Sequence, residues 1–137
     1  MVLIDTSVWL FALKKDFNPE IKEFVEKILL NEDVAINGII KLELLGGARS
    51  EKEYRRLKSK LDSLHFIDSD KKLWDGSCRL AFSLKRKGIS VPYTDIIIAA
   101  SSILTDALLI HADRHFDLIK KHTRLKAESL LHLIKIF

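Results

Sequence analysis

Short runs of aliphatic and β-branched residues alternate along this sequence with longer stretches in which apolar residues recur at helical spacing. A parallel sheet covered by helices on both faces buries both kinds of element, so the pattern predicts an α/β fold. Val2-Leu3-Ile4, Val34-Ala35-Ile36, Leu64 to Ile67 and Ala107 to Ile110 are the expected strands. Thr6 or Ser7 is expected to cap a helix ending at Leu13, and Asn18-Pro19 to open another carrying Ile21, Phe24, Val25 and Ile28. Asn37-Gly38 reads as a turn before a helix that stops near Gly46-Gly47, and a more polar helix follows from about Ser50 to Lys60. Ser69 or Asp70 starts the next, with Leu73, Trp74, Leu80, Ala81 and Leu84 on its apolar side. Thr94 is the expected N-cap of an almost uniformly apolar helix from Asp95 to about Thr105, and a last helix spans about Asp113 to Lys121. The terminal stretch LLHLIKIF fits an edge strand and a helix equally poorly.

With 137 residues and no repeat or linker, residues 1–137 are expected to form one domain. Apolar residues at 47% and charged residues at 31% are the balance of a folded, soluble protein. Cys78 is the single cysteine, so neither an internal disulfide nor a cysteine-pair zinc site can form. The apolar start lacks a basic leader and carries Asp5, and no apolar run approaches the roughly 20 residues of a membrane span. A soluble, cytoplasmic protein is expected.

Four carboxylates stand where solubility does not call for them. Asp5 directly follows a buried strand, and ligands of open α/β sheets bind at the carboxyl ends of strands. Asp113 leaves another strand at the same expected edge. Glu43 lies on a helix whose neighbouring turns offer only Ile39, Ile40, Gly46 and Gly47, so its carboxylate is expected to need a cationic partner. Asp95 opens an apolar helix, where the helix dipole favours the ionised form. Such an oxygen-only set suits Mg²⁺ or Mn²⁺ and phosphodiester hydrolysis by water that the metal activates. Basic residues group at Lys14-Lys15, along Arg49 to Lys60, at Lys85-Arg86-Lys87 and from Arg114 to Lys126, within a net charge of +4; such groups can neutralise a nucleic-acid backbone.

In four blocks the chain resembles the PIN-domain family. VLIDTSVWL resembles its first strand with a metal-binding Asp, here Asp5, followed by the hydroxyl residue Thr6. KLELLGG matches the second block with Glu43, YTDIIIAA the third with Asp95, and LLIHADRHFDLI the fourth, with Asp113 ahead of Phe116. Chain length and the first and fourth blocks are similar to the VapC branch. The resemblance implies a three-layer sandwich with a mostly parallel central sheet, and an endoribonuclease dependent on Mg²⁺ or Mn²⁺. It further implies a homodimer acting as the toxin of a toxin–antitoxin pair, inhibited by a cognate VapB-like antitoxin. The family often places Thr two residues before the fourth acid, whereas this chain has His111. Asp117, one turn beyond Asp113, is a possible further ligand, with a solvated helix charge as the plainer reading.

Singly, each acid has a bland explanation: Asp5 and Asp113 as helix caps, Asp95 as a dipole partner, Glu43 paired with Arg49 or reaching solvent. Thr6 and Ser7 read as caps. His65, His111 and His115 are too scattered for zinc, and Trp9, Phe11, Trp74 and Cys78 are expected in the core. No Ser/His/Asp or Cys/His nucleophile set stands out. The rival functions are a non-catalytic module binding RNA or protein through the same fold, and a PIN nuclease of RNA maturation or DNA processing.

Overall fold

The computed structural model describes residues 1–14 and 18–134. The element order is β1 (Val2–Ile4), α1 (Thr6–Leu13), α2 (Pro19–Asn31), β2 (Val34–Asn37), α3 (Gly38–Gly46), α4 (Glu51–Asp62), β3 (His65–Ile67), α5 (Lys71–Arg86), α6 (Tyr93–Thr105), β4 (Leu108–His111), α7 (Arg114–His122) and β5 (Ala127–Ser129), with a short 3₁₀ turn at Leu131–Leu133. The strands form one sheet in the order β3-β2-β1-β4-β5, and all four pairings are parallel. The expected α/β class therefore holds.

Every residue of β1 and β2 is buried, although successive side chains point to opposite faces. Helices must then cover both faces. Leu3, Ile4, Ile36, Ile98, Leu109, Ile110, Phe116 and Ile119 are almost wholly enclosed, and each such side chain contributes about 2 kcal/mol by leaving water. One polar side chain inside is tied down at both of its ends. Asn37 is fully buried; its Oδ1 accepts from the amide of Ile40 at 2.9 Å, capping α3, and its Nδ2 donates to Ser101 Oγ at 3.0 Å.

The chain steps outward from β1 to β3, then returns to the other side of β1 as β4. The order reverses between β1 and β4, which opens a crevice at their carboxyl ends. Val2, Leu3 and Ile4 pair in register with Leu108, Leu109 and Ile110, so Asp5 and Asp113 leave the sheet close together. No helix among the described residues is long and apolar enough to cross a membrane.

Several expectations need correction. Asp5, the plainer reading given for that acid, and not Thr6 or Ser7, caps α1, because its carboxylate accepts from the Ser7 amide. Helix α6 starts after Pro92 without a side-chain cap, and Thr94 lies inside its first turn. Strand β5 was not expected; Ala127-Glu128-Ser129 lacks β-branched residues and is held by its pairing with β4. Trp74 is 48% exposed and Cys78 is also exposed, since the buried side of α5 runs through Leu73, Ser77 and Leu84. LLHLIKIF supplies neither a strand nor an α-helix over its described part, and residues 135–137, like Lys15 of the first basic group, lie outside the described residues.

Candidate metal centre

The two acids at strand ends are held by the same local device. Asp5 caps α1: its Oδ2 accepts from the Ser7 amide at 3.1 Å and from the Ser7 hydroxyl at 2.5 Å. Asp113 caps α7, its Oδ1 accepting from the His115 amide at 2.9 Å. One oxygen of each carboxylate is thus fixed by a helix amino terminus, whose positive end also favours negative charge. Ser7 does more than cap. Its Oγ accepts from the Ala112 amide at 3.0 Å, tying the start of α1 to the loop that presents Asp113.

Asp95 comes from the first turn of α6 and Glu43 from the middle of α3. Glu43 is exposed, in line with the plainer reading that it reaches solvent, and its Oε1 accepts from Thr6 Oγ1 at 3.0 Å. This bond joins two of the four sequence blocks through the hydroxyl expected to support them. Asp95 is the electrostatic hub. Burial lifts its carboxyl above the ordinary range, and the charges of Asp113 and Glu43 push the same way against a hydrogen bond from His115. Asp5, only 4% exposed, is pushed up to about 6, chiefly by burial and with Asp95 adding; the Ser7 bonds oppose this.

His115 was not foreseen as part of the site. Its Nδ1–H donates to Asp95 Oδ2 at 2.8 Å and lies 3.2 Å from Asp113 Oδ1. Donor atoms of Asp95, Asp113 and His115 all fall within 4.8 Å of one another, close enough to share one cation. The available signal was its place two residues after a capping Asp, where the amide folds back onto the cap. A search for local zinc spacing cannot find that.

His111 is buried, and Asp113 donates its amide to Nδ1 at 3.3 Å. Burial holds the imidazole below its ordinary range. Its Nε2 has no hydrogen-bond partner, and the nearest acid, Asp117 Oδ1, stands 3.6 Å away. Asp117 thus faces His111, and, like Asp5 and Glu43, it lies outside the group formed by Asp95, Asp113 and His115.

The donor set fits a divalent cation. Burial raises the carboxyls of Asp5 and Asp95, neighbouring carboxylates add to it, and His115 is the imidazole in the described group. A bound cation would relieve that repulsion.

A model of the PIN domain family matches residues 2–122. A VapC ribonuclease of Mycobacterium bovis is 29% identical over 133 residues, spanning 94% of this chain and 98% of that protein. Ribonuclease VapC51 of Mycobacterium tuberculosis is 32% identical over 120 residues, spanning 85% of this chain and 83% of its own length. Among solved structures, VapBC2 from Rickettsia felis bound to a DNA fragment from their promoter aligns with a TM-score of 0.78 at 23% identity, over 94% of this chain and 98% of that chain. FitAcB from Neisseria gonorrhoeae aligns at 0.79 with 18% identity, over 96% and 99%. Those two likenesses establish the shared fold. With the sequence matches, they show that the chain belongs to the PIN domain family, within its VapC branch.

Proposed function

We propose that residues 1–137 act as one PIN domain, a divalent-metal-dependent endoribonuclease that is the toxin of a VapBC-type pair. The supporting observation is that Asp95 lies within electrostatic reach of Asp5, Asp113 and Glu43 at the reversal point of the sheet. Asp5, Glu43, Asp95 and Asp113 would hold Mg²⁺ or Mn²⁺, oxygen ligands being what these hard ions prefer. The bound ion supplies an activated water and neutralises charge on the scissile phosphate.

The chain's own residues prepare the site. Ser7 fixes Asp5, and Thr6 orients Glu43. His115 spaces Asp95 from Asp113. Basic residues gather the backbone of the RNA substrate, contacts that add affinity without reading bases. A groove of about 450 Å³ between Leu13 and α4 is lined by Lys52, Arg56 and Lys60. The names of the relatives, ribonucleases of the VapC group, support RNA as the substrate. The solved toxin–antitoxin relatives support a VapB-like antitoxin as partner, and the reading includes a homodimer in the cytoplasm.

The test is incubation of purified protein with a cellular RNA pool in Mn²⁺ or Mg²⁺, followed by mapping of the cut ends. Discrete cuts abolished by EDTA are expected. Tight RNA binding without metal-dependent cuts would instead establish a non-catalytic module, while cuts confined to precursor RNAs would place the enzyme in RNA maturation.

A further inference from the structure

Three side-chain atoms at the site already have the spacing of a coordination shell. In an octahedral complex with ligands about 2.1 Å from the ion, adjacent ligands stand about 3.0 Å apart. His115 Nδ1 lies 2.8 Å from Asp95 Oδ2 and 3.2 Å from Asp113 Oδ1, the separation that neighbouring ligands of one ion would have. The position is also fixed from the main chain: the His115 amide donates to Asp113 Oδ1 at 2.9 Å, and Asp113 caps the helix that carries His115. Phe116, the next residue, is fully buried and anchors that turn. The imidazole is therefore held against both carboxylates by the fold.

We propose that His115 is itself a metal ligand, giving this centre a mixed oxygen and nitrogen shell that favours first-row transition ions over Mg²⁺. The proposal deepens the metal-dependent reading above and rests on it. Imidazole nitrogen binds transition ions well, whereas Mg²⁺ takes oxygen almost exclusively and gives up its waters reluctantly. To hold the ion, Nδ1 would offer its lone pair with the ring hydrogen carried on Nε2, so neutral His115 would change tautomer and release no net proton. Asp95, Asp113 and His115 would hold the ion together, and Asp5, Glu43, water or a phosphate oxygen would complete its shell.

A purely electrostatic role makes a different prediction. If His115 only offsets the charge of Asp95 and Asp113, replacing it changes the affinity for every divalent ion by a similar factor. If it is a ligand, the ratio of affinities changes. The experiment uses the intact protein and needs no substrate. Mn²⁺ binding is followed by loss of the free-ion paramagnetic resonance signal, and Mg²⁺ by competition against it, in the wild type and in His115→Asp and His115→Gln. Melting curves confirm that each variant folds, and pulsed resonance of the Mn²⁺-loaded wild type reads nitrogen coupling directly.

Imidazole nitrogen coupling in the wild type, with the Mn²⁺ to Mg²⁺ preference falling about tenfold or more in His115→Asp, is the expected result. Mn²⁺ binding without nitrogen coupling, and equal changes for both ions in the variants, would overturn the ligand role while leaving the metal centre intact. Failure of the wild type to bind either ion would overturn both readings.

Discussion

Asp5→Asn removes a charge from a site only 4% exposed while keeping the shape of the side chain. In the metal-free protein, burial lifts this carboxyl from its ordinary 3.8 to about 6. At about 1.4 kcal/mol for each tenfold change in proton affinity, holding it ionised at pH 7.5 costs the fold about 3 kcal/mol. An acid raised in the folded state favours folding when protonated, so this cost is relieved as pH falls through about 6 and has gone below 3.8. About half is recovered by pH 5. Asn removes the cost at every pH and, like the protonated carboxyl, still offers a neutral oxygen to Ser7, whose bonds to the charged form are already contained in the value of about 6. The variant should therefore be about 3 kcal/mol more stable than wild type at pH 7.5 in EDTA, and inactive. At pH 5 the gap should shrink to about 1.5 kcal/mol. Urea denaturation at the two pH values measures both. A variant less stable than wild type at pH 7.5, or a gap that ignores pH, would refute the assignment of Asp5 as a carboxylate kept charged for function at the expense of stability.

Metal should close most of that gap. Mg²⁺ or Mn²⁺ at a hundred times its dissociation constant stabilises the wild type by about 2.7 kcal/mol, and Asp113→Asn should lose most of that gain in a thermal melt. Thr6→Val removes the bond to Glu43 Oε1 without emptying its space; cleavage should fall about tenfold while stability changes by under about 1.5 kcal/mol. Asn37→Ala strips the cap of α3 and a buried bond to Ser101, at a cost of about 2–3 kcal/mol in chemical denaturation. Because α3 carries Glu43, activity should fall further than the loss of folded protein explains.

The sheet was legible because β1, β2 and β4 are short apolar runs between helical stretches, and a parallel sheet buried on both faces demands that pattern. Strand β5 was not, since Ala127, Glu128 and Ser129 become a strand only by pairing with β4. Caps were read one or two residues late at Asp5 and at Pro92 because hydroxyl residues nearby compete for the same role. The four acids could be picked out because strand ends and an apolar helix are poor places for a lone carboxylate. The roles of Ser7 and His115 depend on how the β1–α1 and β4–α7 junctions meet, a relation that separation along the chain hides. Glu43 was placed correctly on its helix, but how far it reaches solvent was not legible, since the faces of α3 left open are set by how it packs on α1 and α6.

The account stands most directly on RNA cleavage by an isosteric panel. Asp5→Asn, Glu43→Gln, Asp95→Asn and Asp113→Asn are each compared with wild type in Mn²⁺, with Asp117→Asn as the neighbour that faces His111. Loss of at least about a hundredfold in each of the four, about 2.7 kcal/mol or more of transition-state stabilisation, with folding intact and Asp117→Asn within severalfold of wild type, is the predicted result. Cleavage that survives in any two of the four would contradict a centre built on these carboxylates.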